Sequence, residues 1–277
     1  ADLITGNTQL VATKADLIAA VVQKELQFQA KLLPYVTDVS AYAVKGAKTI
    51  EFPKLTSFSI TNRAEGSPGD SSVLTSATDS IALSFNAYCA WIIDSMSEVQ
   101  TSINAQMEFA RRAASAHGRY VDSQILAVAT SDAGLDVGAA PITRDLILDM
   151  REYLLSGNAD MNQLVLVIGP DQEKAMLKID EFTRAEVYGG AVIPNGLIGR
   201  VYGVPVLVHN GVAAGKAHMW EKSGLAVGFQ KSPAMSSQLA NEYGTSAQRV
   251  AMDQLFGVDS LQREVGGAAA GTSRLIA

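Results

Sequence analysis

The chain has 277 residues, of which 48 % are hydrophobic and only 6 % aromatic, with a formal net charge of −6. That length suits one large domain or two modest ones with a sizeable core. The acidic balance is the reverse of a strongly basic nucleic-acid reader and argues against tight, general DNA or RNA binding.

Residues 1–13 are polar and Thr-rich and are expected to form an extended arm. Ala1-Asp2-Leu3 lacks the basic start and apolar core of a signal peptide. The absence of an initial Met is expected from its removal before Ala, or from maturation by cleavage. Thr13 or Ala15-Asp16 starts a helix predicted to run to about Leu33. Leu17, Ile18, Val21, Val22, Leu26 and Phe28 give it an irregular apolar face, and Pro34 stops it. Residues 35–47 read as loop or extended chain.

A long hairpin is predicted next. Thr49 to Ile60 carries Ile50, Phe52, Phe58 and Ile60; Ser80 to Tyr88 alternates Ile81, Leu83 and Phe85 with Ser84 and Asn86. Period two means strands with one buried face. The stretch Asn62 to Ser72 between them is polar and rich in turn formers. A strand of about 12 residues spans about 40 Å, so the hairpin is expected to project and to need a partner to lie on. The alternative is a hairpin folded on its own core. Cys89 is the only cysteine, which excludes an intrachain disulfide and a cysteine metal cluster, fits folding inside a cell, and reads as a small apolar strand residue.

Ser95-Met96-Ser97-Glu98 has the form of a capping box. Behind it Val99, Ile103, Met107, Ala110, Ala114, His117, Val121, Ile125 and Val128 recur at spacings of three and four. A helix of about 33 residues, about 50 Å long, follows. Ser131 to Ala140 is a Gly/Asp loop. From Pro141 helices and strands alternate: Thr143 caps a helix through Leu155, Leu164 to Ile168 is a short buried strand, and Gly169-Pro170-Asp171 starts a helix to about Ile179. A long Gly-rich loop covers 180–200. Val204 to Val208, Ala217 to Trp220 and Leu225 to Phe229 read as strands of this α/β part. Further strands are expected at Arg249 to Met252 and Phe256 to Val258, with a small-residue tail from Gly266 that regains order at Leu275-Ile276. No stretch reaches the about 18 apolar residues of a membrane span.

No catalytic, cofactor-binding or metal-binding residues emerge. His117, His209 and His218 lack metal-ligand spacing; His117 lies on the helical stripe as a packing residue. The 189–203 glycines lack both a Gly-x-Gly-x-x-Gly after a strand and a Gly-Lys-Ser/Thr step. Asp171 favours N-capping over anion binding at its helix start. Asp180-Glu181 and Asp259 form no evident dyad. Arg111-Arg112 and Arg119 are expected on a solvated helix face with local partners such as Glu108.

Three segments carry a resemblance. They are Gly46-Ala47-Lys48-Thr49-Ile50-Glu51-Phe52-Pro53, Ile198 to Val208, and Arg249-Val250-Ala251 with Leu255-Phe256-Gly257-Val258. Together with the order of elements they resemble the major capsid proteins of tailed bacteriophages with the Hong Kong 97-type fold. The resemblance implies an α+β fold divided as follows: 1–46, an N-terminal arm with a helix; 47–90, an extended loop formed by the long β-hairpin; 91–138, the spine helix of a peripheral domain; 139–234, an axial domain; 235–277, returning strands of the peripheral domain and a C-terminal tail. It implies no enzyme and no cofactor. It implies a coat protein that self-assembles through hexamers and pentamers into an icosahedral head around double-stranded DNA, touched only weakly and non-specifically. Implied partners are copies of itself, a scaffolding protein, a portal, and decoration or cement proteins; no membrane is implied. The place is the virion, after assembly in the bacterial host cytoplasm. The ring centre is expected to use the 189–200 loop or the 210–216 turn. Lys48 and Lys54 lie in the first strand and not at the polar tip, so a covalent cross-link from the hairpin tip is not expected. An encapsulin nanocompartment of the same fold and a soluble α/β enzyme or binding module remain the alternatives.

Overall fold

Alternating strands and one long apolar helix stripe meet in two sheets that share a core. The computed structural model describes residues 30–55, 60, 62, 65–66, 76–93, 105–134, 138–179, 199–240, 247–261 and 275–276. In chain order the strands are β1 (Thr37–Asp38), β2 (Thr49–Leu55), β3 (Ser76–Ala82), β4 (Phe85–Ile93), β5 (Leu164–Ile168) and β6 (Arg200–Val201). They continue as β7 (Val204–Val208), β8 (Ala217–Glu221), β9 (Leu225–Leu239), β10 (Gln248–Ser260) and β11 (Leu275–Ile276). The helices are α1 (Ala105–Ser131), α2 (Arg144–Ser156) and α3 (Pro170–Met176).

The first sheet has the order β1-β9-β10-β4, the second β11-β8-β5-β7-β6, and β2 pairs with β3 as a separate ribbon. One cluster joins both sheets to the C-terminal half of α1. It gathers Val121, Ile125, Leu126 and Ala129 with Phe256 and Val258 of the first sheet and Val165, Val167 and Trp220 of the second. The other face of the second sheet, with Leu164, Leu166, Ile168 and Met219, packs on Ile147, Met150 and Leu154 of α2 and Met176 of α3. Every residue of β5 is buried, as expected of a strand covered on both faces.

The hairpin prediction is corrected in one respect. The strand placed at Ser80 to Tyr88 is two strands: β3 pairs with β2 from Thr49↔Ala82 to Leu55↔Ser76, and β4 pairs with β10 from Phe85↔Phe256 to Ile93↔Gln248. Ile81 and Leu83 bury with Val39 and Ile50, whereas Phe85 stacks on Phe256 at a centroid distance of 5.4 Å. The alternation runs unbroken across the change of partner, so period alone does not reveal it.

Other boundaries also move. The helix α1 continues to Ser131, into the stretch read as loop; Thr130 and Ser131 hydroxyls donate to the Leu126 and Val128 carbonyls. Leu225 to Phe229 is the start of β9 in the first sheet, not a strand of the α/β part, and the two late strand segments are the single strand β10. Thr143 caps α2 by accepting from Leu146 N at 3.3 Å. Asp171 does not cap α3: the N-cap is Gly169, and Asp171 Oδ2 accepts from Gly215 N at 2.6 Å. Pro34 lies in the first turn of a 3₁₀ turn, Leu33–Tyr35. The N-terminal helix before residue 30, the capping box at 95–98, and the loop from 180 to 198 lie outside the described residues.

The Gly/Pro-punctuated stretch at 200–208 is a tight hairpin into the second sheet. Val201 pairs with Val204 across Tyr202-Gly203, whose φ angles of 49° and 85° are both positive, as a type I′ turn requires.

Candidate functional surfaces

The histidines do not converge. His218 is buried in β8 at the Val167 rung, while His209 follows β7 with its Nε2 3.0 Å from Asp122 Oδ2. Among the described residues no group of three or more His, Cys, Asp or Glu side chains is placed to hold a metal ion. Cys89 packs with Trp91 and Met235 beside the Ala110, Ala113 and Ala114 cluster, and burial pushes its thiol pKa up. A raised thiol is a poor nucleophile. A cavity of about 530 Å³ lies between residues 139–142 and α3. Its buried polar group, Gln172, is bonded at both amide atoms: it accepts from Ile142 N and donates to Ala140 O, both at 2.7 Å. Neither histidine nor cysteine lines it. Arg111, Arg112 and Arg119 are exposed on α1; Arg112 pairs with Glu108 at 3.1 Å and Arg119 Nε donates to Ser115 O.

The strongest polar feature is a joint. Asp122 of α1 is wholly buried. Its carboxylate accepts from Lys31 N at 3.0 Å, Leu32 N at 3.2 Å and His209 Nε2 at 3.0 Å. His209 Nδ1 accepts from Gly211 N at 2.9 Å, which leaves Nε2 as the protonated nitrogen facing the carboxylate. One side chain thus ties together residues 31 and 32, the long helix, and the loop after β7. The sequence reading passed over Asp122, although its place beside Val121 and four before Leu126 put a charge on the buried side of the stripe. The 210–216 turn, one of the two segments expected at the ring centre, is partly packed into the fold. Val212 is buried in the shared core, and Gly215 is held by Asp171 and by Ala140 N. Gly211, Ala213 and Ala214 of that turn are exposed.

The hairpin is clamped at its foot. Ile50, Ile81 and Leu83 bury with Val39 and Ala226. A Cβ at Gly257 of β10 would sit 2.3 Å from the Ala82 carbonyl oxygen, and one at Gly228 of β9 would meet Ile50 Cδ1 at 2.9 Å. At Gly257 the close atom is backbone, so only glycine fits; at Gly228 it is the tip of the Ile50 side chain, which would have to shift. Away from the foot, Ile60 is 99 % exposed. Beside the foot, burial first and then the Asp132 and Asp79 carboxylates raise the pKa of Asp259.

A second open surface is the face of the first sheet opposite α1. Tyr88 and Ile92 of β4 are exposed there, next to Arg249, whose guanidinium donates to the Tyr88 hydroxyl at 3.1 Å. Lys231 and Asp253 pair on the neighbouring strands. Mixed aromatic, aliphatic and Arg composition is that of protein interfaces.

Residues 15–248 match the family described as phage capsid protein. Comparison with curated proteins gives no significant match. Among solved structures the fold is similar to one from Mycobacterium phage Che8, at a TM-score of 0.73 with 14 % identity, covering 90 % of each chain. It is similar to a chain of the bacteriophage PhiM1 mature capsid, at 0.65 and 14 % identity, covering 87 % of this chain and 85 % of that one. The virus-like particle from Pyrococcus furiosus gives 0.61 and 10 % identity over 95 % and 98 %.

Proposed function

This chain belongs to the phage capsid protein family, and on that premise we propose that it builds an icosahedral phage head from pentamers and hexamers around double-stranded DNA. Its fold is the α+β fold of Hong Kong 97-like capsids, and its role is structural, as a shell protein of the virion, not enzymatic.

The observation that carries the proposed assembly is the hairpin. Its foot packs on β9 and β10, at Gly257 through an approach only glycine permits, while Ile60 stands 99 % exposed. An isoleucine held out this way serves a neighbour. Rings closed by repeated heterologous contacts make such a shell. In this reading residues 47–90 clasp an adjacent subunit and residues 1–46 reach another. Residues 139–234 form the axial domain, with the 189–200 loop or the 210–216 turn at the ring centre. Residues 91–138 and 235–277 form the peripheral domain. Assembly takes place in the bacterial host cytoplasm with a scaffolding protein and a portal, and decoration or cement proteins are added outside. DNA is touched weakly, as the net charge of −6 suits.

Negative-stain imaging of the expressed chain, with its scaffold where needed, tests this. Shells, hexamers or pentamers are expected; a stable monomer of 29.2 kDa that never assembles refutes it. The likeness to the Pyrococcus furiosus particle is the observation on the side of a nanocompartment. It is a likeness of fold, and the family match is to phage capsid proteins. Protein cargo in place of DNA inside purified shells decides for the nanocompartment.

A further inference from the structure

An Asn-Gly pair is a turn signal, and Asn210-Gly211 forms a turn: Val212 N donates to His209 O at 3.3 Å across it, and both turn residues are exposed. This turn carries a further bond that turns do not require. The backbone N–H of Gly211 donates to His209 Nδ1 at 2.9 Å. The imidazole that receives it is held at both ends. The backbone N of His209 donates to Ile168 O at 2.9 Å, its Nε2 lies 3.0 Å from Asp122 Oδ2, and its side chain is only 11 % exposed. The approach is close enough to demand the glycine: a Cβ at Gly211 would stand 2.9 Å from His209 Cε1 and 3.1 Å from Leu126 Cδ1.

The ring therefore sits on the one proton that restrains a reaction open to every Asn-Gly pair. The Gly nitrogen and the Asn side-chain carbonyl carbon are tethered by the chain itself, so the reacting atoms need no docking. The nitrogen attacks only as it gives up its proton. With the Nε2 proton directed at Asp122, the Nδ1 lone pair is free to accept that proton. A carboxylate that orients an imidazole, which in turn faces a nucleophile, is the general form of an activated nucleophile. A carbonyl oxygen at the same place would brace the turn equally well but could not take the proton.

We propose that Asn210 is a self-modification site, at which His209 serves as the base for deamidation. His209 Nδ1 takes the Gly211 N–H proton, and the nitrogen pair forms a bond to Asn210 Cγ. The Cγ–Nδ2 bond breaks, Nδ2 recovers the proton from the imidazolium and leaves as ammonia, and a succinimide remains. Water then opens the ring to aspartate or isoaspartate at position 210. Asn210 and Gly211 are exposed, so ammonia can leave and water can enter. Either product adds one negative charge to this turn in every modified copy. Isoaspartate also lengthens the backbone by one carbon and moves the Gly211 nitrogen away from the ring.

The full chain is aged in neutral buffer, folded or unfolded in guanidinium chloride, and digested with trypsin. Cleavage after Arg200 and Lys216 releases residues 201–216, in which Asn210 is the sole side-chain amide. Mass spectrometry of this peptide measures amide loss directly. Peptide 185–200 carries the other Asn-Gly pair, Asn195-Gly196, and in guanidinium it gives the ordinary rate for the dipeptide. Folding should speed the loss at Asn210 by about 10²-fold, the lower end of what a placed base supplies. His209→Gln keeps an acceptor for Gly211 N but no base, and should remove that acceleration in a variant shown by its melt to be folded. A folded parent chain that reacts at Asn210 no faster than the unfolded one overturns the proposal, and so does a folded His209→Gln variant that keeps the parent rate. Should the variant not fold, the comparison of folded with unfolded parent chain decides alone.

Discussion

Replacing Asp122 tests the joint between helix, second sheet and N-terminal segment. The carboxylate is fully buried and accepts three hydrogen bonds, from Lys31 N, Leu32 N and His209 Nε2. Asp122→Ala strands all three donors. A buried donor without a partner costs about 1–3 kcal/mol, and water entering the vacated space recovers part of it. The expected net loss is about 3–5 kcal/mol, the range seen when one side of a buried polar pair is removed. Against a total stability of about 5–15 kcal/mol this is a large fraction. Asp122→Asn keeps one acceptor but turns an amide N–H toward a donor, so its loss should be intermediate. Urea unfolding of the unassembled chain, followed by tryptophan fluorescence, measures both. Trp220 is a suitable reporter because its indole donates to Tyr35 O at 3.0 Å, just beyond the tied segment. Trypsin cleavage after Lys31 should accelerate in parallel. A loss under about 1 kcal/mol for Asp122→Ala, with cleavage unchanged, would refute the idea that this side chain holds the joint.

Gly257→Ala places a Cβ 2.3 Å from the Ala82 carbonyl oxygen; a backbone shift is required, and a loss of about 1–3 kcal/mol in urea unfolding is expected. Asp259, raised mainly by burial, contributes stability that is full below the unfolded carboxyl value and is lost as pH rises through the raised folded value. Asp259→Asn should therefore be more stable than the parent at pH 7 and lose that advantage near pH 3, as read by melts at both pH values. For His117, lowered by burial from 6.5, the sign is reversed: stability is full above about 6.5 and is lost as pH falls through the lowered folded value. Melts of His117→Gln should show a shallower acid decline than the parent; equal slopes would show that another group drives it. Deleting Asn62 to Thr75 should leave the melt of the unassembled chain unchanged and impair shell assembly in negative stain; normal shells would remove the hairpin from the clasp.

What was legible in the sequence follows a physical line. Local patterns carried through: the stripe from Ala110 to Val128 is α1, the Thr143 cap is used, and Leu164 to Ile168 is β5 to the residue. Choice of partner did not. Ile81, Leu83 and Phe85 alternate without a break, yet the chain leaves β2 for β10 between them, because period two reports which face is buried and not which strand lies alongside. Likewise Leu225 to Phe229 looks like the next strand of the α/β part but opens a 15-residue strand of the other sheet. Asp122 was missed for a related reason: a lone carboxylate on a helix reads as solvated until the donors, 90 and 87 residues away in sequence, are seen to converge on it. Asp171 read as a local cap and proved to be a long-range tie.

The same contacts bear on when the geometry of assembly is decided. A hairpin arm free to swing would lose conformational entropy on docking, at about 0.5–1.5 kcal/mol for each immobilised side chain together with the backbone freedom of its hinge. Here the foot cannot swing, since Gly257 lies against the Ala82 carbonyl and Gly228 against Ile50, and Leu83 N donates to Lys48 O at 2.9 Å across the base. The base of the β2–β3 ribbon is therefore fixed on β9 and β10 within the single chain. Asp122 does the same for the segment at Lys31 and Leu32. In the proposed shell, the fixed contacts at Lys31 and Leu32 and at the base of the ribbon would give a neighbour a preorganised surface to meet. That is why the informative residues of this chain are glycines at close approaches and one buried carboxylate, and not a cluster of reactive side chains.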